Sequence, residues 1–140
     1  APLTPVAVFE GKVAASNMLK GNATTPDYAG VPSVVFTIPE LARVGLLEEE
    51  ARKGGHHIRV ASNDTGNWYS NLRVGERCAA TKVLIDTETD KILGAHLLGP
   101  EYAEIINFFG LAIRLGLTVG DLKKMVAAYP SVGSDLGSML

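Results

Sequence analysis

Apolar residues fall into two patterns along this 140-residue chain. Helical spacing marks its two ends, and short β-branched or alternating runs mark its middle. Near the N-terminus Val6, Phe9 and Val13 recur on one helical face. Thr4 offers an N-cap, Pro5 suits the first helical position, and Gly21 provides a stop after Lys20. Residues 21–30 are rich in Gly, Asn, Thr, Pro and Asp and are expected to form a linker. Val34-Val35-Phe36-Thr37 then reads as a strand interrupted by Pro39. A short helix is expected over Leu46–Lys53, with acids early, bases late and Gly54-Gly55 behind it. A strand over His57–Ser62 leads into a polar connection through Asn71. Two further strands, Cys78–Ile85 and Lys91–Leu98, form a hairpin across Asp86-Thr87-Glu88-Thr89-Asp90.

The C-terminal third returns to helical spacing. Over Tyr102–Leu115, Ile105, Ile106, Phe109 and Ile113 make one stripe, while Phe108, Leu111, Ala112 and Leu115 fill much of the remaining surface. A helix apolar nearly all round must be covered on more than one side. The sheet covers one side; a second copy of the chain is the economical cover for the other, with Tyr102, Ile105, Phe108, Phe109 and Ala112 as candidate contacts. The alternative is a helix sandwiched within a single protomer. A last short helix is expected over Asp121–Ala128, ended by Tyr129-Pro130. Together these elements predict an α+β domain, an antiparallel sheet packed against helices.

Composition narrows the function. With 46% hydrophobic residues the chain can build a core, and its net charge of −2 gives no basis for a phosphate-backbone partner. No apolar run approaches the ~18 residues of a membrane span, and no basic segment followed by an apolar one marks a secretory signal. One cysteine, Cys78, excludes an internal disulfide and fits a reducing, cytoplasmic setting. None of the 15 glycines forms a Gly-x-Gly-x-x-Gly turn, so no dinucleotide-binding fold is expected and the chain should carry no catalytic centre of its own.

Individual polar residues add little chemistry. His56-His57 lacks a third metal ligand at useful spacing, so it is read as an exposed loop before a strand. His96 lies on a strand and is read as structural. Cys78 is expected to be a small core residue and Trp68-Tyr69 to cover a sheet edge. Glu48-Glu49-Glu50 is a solvated helix start.

One set of motifs, in order along nearly the whole chain, carries a family resemblance. Val35-Phe36-Thr37, Pro39-Glu40 and Val44-Gly45 are followed by Lys82-Val83-Leu84 and Ile92-Leu93-Gly94-Ala95-His96. Glu104-Ile105-Ile106 and Ala112-Ile113 come next, and Tyr129-Pro130-Ser131 closes the series. This succession resembles the C-terminal dimerisation (interface) domain of the pyridine nucleotide-disulfide oxidoreductases, the family of glutathione reductase, dihydrolipoamide dehydrogenase and mercuric reductase. The resemblance implies three parts: residues 1–20 as the terminal helix of a truncated FAD-binding domain, residues 21–30 as a linker and residues 31–140 as the dimerisation domain. Leu3-Thr4-Pro5-Val6-Ala7 resembles the helix start that meets the flavin in that family. Leu3 and Thr4 are thereby implied FAD contacts in a full-length parent only, since the isolated chain is expected to hold no cofactor.

The resemblance also locates a departure. Where the family has a histidine before proline and a glutamate five residues later, this chain has Tyr129 and Ser134. The usual acid–base pair is therefore replaced, which disfavours glutathione and lipoamide as acceptors. A phenol that titrates near ~10 donates a hydrogen bond at neutral pH but does not exchange protons as imidazole does. Asp135 carries the right charge, but on a helix it would point away from the position of Ser134. The implied function is homodimerisation of an FAD- and NAD(P)H-dependent oxidoreductase, with C-terminal residues supplied to the partner's active site. The alternative is a free-standing structural or interaction module.

Overall fold

The computed structural model describes residues 3–140. Its frame is a five-stranded sheet built from β1 (Ser33–Val35), β2 (Glu40–Gly45), β3 (Ile58–Asp64), β4 (Ala80–Asp86) and β5 (Ile92–Gly99). The strands lie in the order β1-β2-β5-β4-β3, every neighbouring pair antiparallel. Register places Ala42, Leu97 and Thr81 in one row and Val44, Ala95 and Val83 in the next. Both rows are buried on the same face. Across their β2 and β5 positions lies α4 (Tyr102–Leu115), whose Ile105, Ile106, Phe109 and Ala112 are buried in the core with Ala42, Val44, Ala95 and Leu97. The predicted α+β class and the bounds of this helix agree with the structure.

Local chemistry explains the main connections. At the β4–β5 hairpin the Asp86 carboxylate accepts from the N–H groups of Glu88 and Thr89, each at 2.9 Å. The Thr89 N–H is the main cause holding this carboxyl below its ordinary range, with Glu88 and His56 adding to it. At the start of α4, Glu40 of β2 accepts from Ala103 N at 2.8 Å, placing an anion where the first turn leaves unpaired donors. The Pro39-Glu40 motif therefore has a structural use. On the opposite sheet face α2 (Glu48–Lys53) packs close, with His96 Nε2 3.1 Å from the carbonyl of Leu46. Burial in that contact pushes the His96 imidazole below its ordinary pKa.

Several expectations are corrected. Thr4 is the first residue of α1 (Thr4–Lys20), and the cap position belongs to Leu3, which makes no side-chain cap. Residues 21–30, expected as a linker, form no helix or strand and are fastened at three residues. Asn17 exchanges hydrogen bonds with Thr24, Tyr28 donates to Glu10 at 2.8 Å, and Arg114 donates to the Asp27 carbonyl at 3.0 Å. The helix expected over Asp121–Ala128 is only α5 (Val119–Leu122), closed by a Thr118–Asp121 capping box. Leu122 enters the core, but Met125 and Val126 beyond it face outward, and a short helix without a packed face is not self-supporting. The chain instead forms a 3-10 helix over Val132–Met139 that turns Val132, Leu136 and Met139 inward. Cys78 is exposed, and Ala79 takes the core position beside it.

The stretch read as a polar connection is partly internal. It holds α3 (Tyr69–Leu72) and a buried polar hub. The Tyr102 hydroxyl lies 2.9 Å from Thr65 Oγ1 and accepts from Asn71 Nδ2 at 3.3 Å, while Asn71 Nδ2 also donates to the Thr65 carbonyl at 2.8 Å. All three residues are fully buried, and Asn71 Oδ1 has no partner.

Two expectations follow from this packing. Gly110→Ala should destabilise the fold by about 1–3 kcal/mol despite the better helix propensity of alanine. Its Cβ would sit 2.8 Å from the carbonyl oxygen of Gly30, and Gly30, at φ +70°, has little room to retreat. Urea denaturation reads the change, and a more stable variant would show that the crossing is looser than described. Tyr102→Phe should cost about 1–3 kcal/mol by the same assay, because it leaves Thr65 and Asn71 short of a buried partner; an unchanged midpoint would contradict the hub.

Candidate functional site

The C-terminal segment brings Tyr129 and Ser134 to one small surface cleft. Its walls come from Tyr69, Ser70 and Arg73 on one side and from Tyr129, Ser131, Ser134 and Asp135 on the other. Tyr129 is 80% exposed, directly ahead of a cis proline, and among the described residues no side-chain hydrogen bond holds it. Ser134 is engaged locally: its hydroxyl donates to the Ser131 carbonyl at 2.5 Å, and its N–H donates to Ser131 Oγ at 3.2 Å. Ser134 thus closes the first turn of the 3-10 helix. Tyr129 and Ser134 line the same cleft but are not coupled by a hydrogen bond.

Asp135 reaches this cleft too, where helical geometry predicted that it would point elsewhere. Its carboxylate accepts a hydrogen bond from Ser70 of α3. The tighter 3-10 winding changes the direction in which successive side chains leave the backbone. Within one chain the cleft therefore offers an exposed phenol as donor and a carboxylate already engaged by a serine. No imidazole is present to relay a proton.

The five candidate interface residues divide sharply. Tyr102, Ile105, Phe109 and Ala112 are buried inside the protomer against the sheet and the hub, so they are core residues and cannot meet a second copy. Only Phe108 faces outward, at 41% exposure. With it stand Leu111 at 54% and Leu115 at 62%, both left out of the candidate contacts. Their spacing, i+3 and i+7 from Phe108, is a second apolar stripe legible in the sequence. Val126, at 97% exposure, and Met125 are further exposed apolar residues in the segment after α5.

Leu3 and Thr4 lie at the N-terminus of the 17-residue α1. Leu3 borders a cavity of about 260 Å³ shared with Val6, Tyr28, Ser33 and Arg43. First-turn N–H groups at such a helix start can receive an electron-rich oxygen. His56 pairs with Asp86, Nδ1 to Oδ2 at 3.3 Å, at a separate surface site. No helix among the described residues is long and apolar enough to cross a membrane.

Comparison with known proteins gives this geometry a family. Residues 31–139 match the model of the pyridine nucleotide-disulphide oxidoreductase dimerisation domain. The chain is 48% identical over 139 residues to an uncharacterised 19.7 kDa protein of the mercuric resistance operon of Staphylococcus aureus, covering 99% of this chain and 77% of that protein. It is 41% identical over 130 residues to a dihydrolipoyl dehydrogenase of Thermus scotoductus, covering 93% of this chain and 28% of the enzyme. Among solved structures, the Cu(II) complex of the HOCl-induced flavoprotein disulfide reductase RclA from Escherichia coli superposes with a TM-score of 0.89 at 27% identity. That likeness covers 99% of this chain and 32% of the RclA chain. The chain spans under a third of the length of both of these enzymes. Sheet order, the helix across it and the matched residues agree: the chain belongs to the dimerisation-domain family of the pyridine nucleotide-disulphide oxidoreductases.

Proposed function

We propose that this domain forms a two-fold homodimer within an FAD- and NAD(P)H-dependent flavoenzyme of the cytoplasm and presents its Tyr129 segment to the partner's active site. The observation that carries this reading is the outward stripe Phe108, Leu111 and Leu115 on α4. These side chains lie on a rigid helix whose inner face is already occupied by the sheet. A two-fold contact lets one self-complementary patch cover itself on both copies.

FAD, when bound in the parent, would supply the group that accepts a hydride from the nicotinamide. This chain's share of that site is the start of α1, where N–H groups around Leu3 and Thr4 suit an electron-rich edge of the flavin. The remaining site must come from sequence outside this chain, since no glycine-rich dinucleotide turn is present. Tyr129 acts as a hydrogen-bond donor to the bound acceptor. Ser134 takes no part in proton exchange, because its hydroxyl is committed to Ser131.

A second reading, a free-standing interaction module, is favoured by one observation: the S. aureus relative is itself only 19.7 kDa. Immunoblotting of source cells separates the two readings. A band of full reductase size supports the flavoenzyme, and one close to the relative's mass supports the module.

Sedimentation equilibrium tests the homodimer. The unaltered chain should self-associate, and Leu111→Glu or Phe108→Glu should raise the dimer dissociation constant by at least about tenfold, because a buried charge replaces about 1.5–3 kcal/mol of apolar burial. A soluble monomer at high micromolar concentration would overturn the assignment. In the full-length parent, Tyr129→Phe should lower turnover by about two- to tenfold, the loss of one neutral hydrogen bond worth roughly 0.5–1.5 kcal/mol. A thousand-fold loss with dimerisation intact would instead make the phenol a proton-transfer group.

A further inference from the structure

We propose that Ser70 is a positioning residue for the Tyr129 segment: with Asp135 it forms a clasp that sets that segment in register with the α4 face. The importance of this clasp for partner contact rests on the homodimer reading above. Residues 126–140 meet the domain mainly through Val132, Leu136 and Met139, which sink into the core. Apolar burial holds these three positions down, but residues 126–131 ahead of them include no buried side chain to set their orientation. A hydrogen bond to a carboxylate is directional and stronger than a neutral one. Among the described residues, the Ser70–Asp135 bond is the one hydrogen bond joining residues 126–140 to the rest of the domain.

The other end of the clasp is rigid. Ser70 lies in the four-residue α3, too short to hold its own shape. The next residue, Asn71, is fixed by the Thr65 carbonyl and the Tyr102 hydroxyl in the fully buried hub. Tyr102 opens α4, the helix that carries Phe108, Leu111 and Leu115 outward. A continuous path therefore runs from the α4 stripe through Tyr102, Asn71, Ser70 and Asp135 to the 3-10 helix and Tyr129. The carboxylate of Asp135 thereby ties the 3-10 helix to α3.

Hydrogen–deuterium exchange on the 140-residue chain tests the clasp, with Ser70→Ala, Asp135→Asn and Ser70→Thr compared with the unaltered protein. At concentrations where the chain is monomeric, amides of residues 128–139 should exchange about tenfold faster in Ser70→Ala and Asp135→Asn, the effect of losing one charge-assisted hydrogen bond. Ser70→Thr retains a hydroxyl and should stay close to the unaltered rate, and amides of β4 and β5 should be unaffected. The double variant should be no worse than either single one, as for two members of one bond. Unchanged exchange in 128–139 would overturn the proposal, as would a uniform rise across the sheet or additive single effects. Sedimentation of the same variants reads the link to assembly: the dimer dissociation constant should rise about tenfold, and an unchanged dimer affinity would break that link. A chain that never dimerises would refute the homodimer reading while the monomer's exchange still tested the clasp.

Discussion

The inner face of α4 lies on the buried residues of β2 and β5, and the rest of the domain is arranged around that contact. Ile105, Ile106, Phe109 and Ala112 fill the same layer as Val44, Ala95, Leu97 and Val83. Fully burying each large apolar side chain is worth about 1.5–3 kcal/mol, so this seam is the main source of cohesion. It also fixes rotation of the helix about its axis. With four positions committed inward, Phe108, Leu111 and Leu115 are left outside. The surface available to a partner is thus a consequence of how the core is filled.

Polar contacts then tie the remaining segments to this helix. Glu40 caps its first turn, and the Gly30–Gly110 crossing brings residues 27–31 onto its back. Arg114 near its end holds the Asp27 carbonyl and lies 6.0 Å from the Phe9 ring centroid, which brings α1 into the same assembly. The hub of Thr65, Asn71 and Tyr102 draws in α3, and the Ser70–Asp135 bond draws in the C-terminus. Each contact is modest alone. Their common anchor on α4 makes them act on one rigid body.

The chemistry of the cleft follows from the same economy. A 3-10 helix brings residues three apart onto one edge, which lets Ser131 and Ser134 satisfy each other and leaves Tyr129 free. A serine at 134 can close that turn, but it cannot orient a ring nitrogen from five residues away as a glutamate can. The cleft thus presents an exposed phenol beside a carboxylate already held by a serine.

Local periodicity and turn chemistry already determined much of this in the sequence. The run of apolar residues over Tyr102–Leu115, the β-branched strand Val83-Leu84-Ile85 and the Asp-rich hairpin turn specify their elements because the forces involved act between near neighbours. The order of motifs likewise carried the family. Tertiary structure decided which apolar residues of α4 face inward, because on a helix apolar nearly all round the stripe that meets the sheet depends on the strands it meets. It also decided that Thr65 and Asn71 are buried, that residues 21–30 are fastened and that Asp135 meets Ser70, 65 positions away. Such contacts have no local period to announce them; they exist only once the sheet brings distant segments side by side.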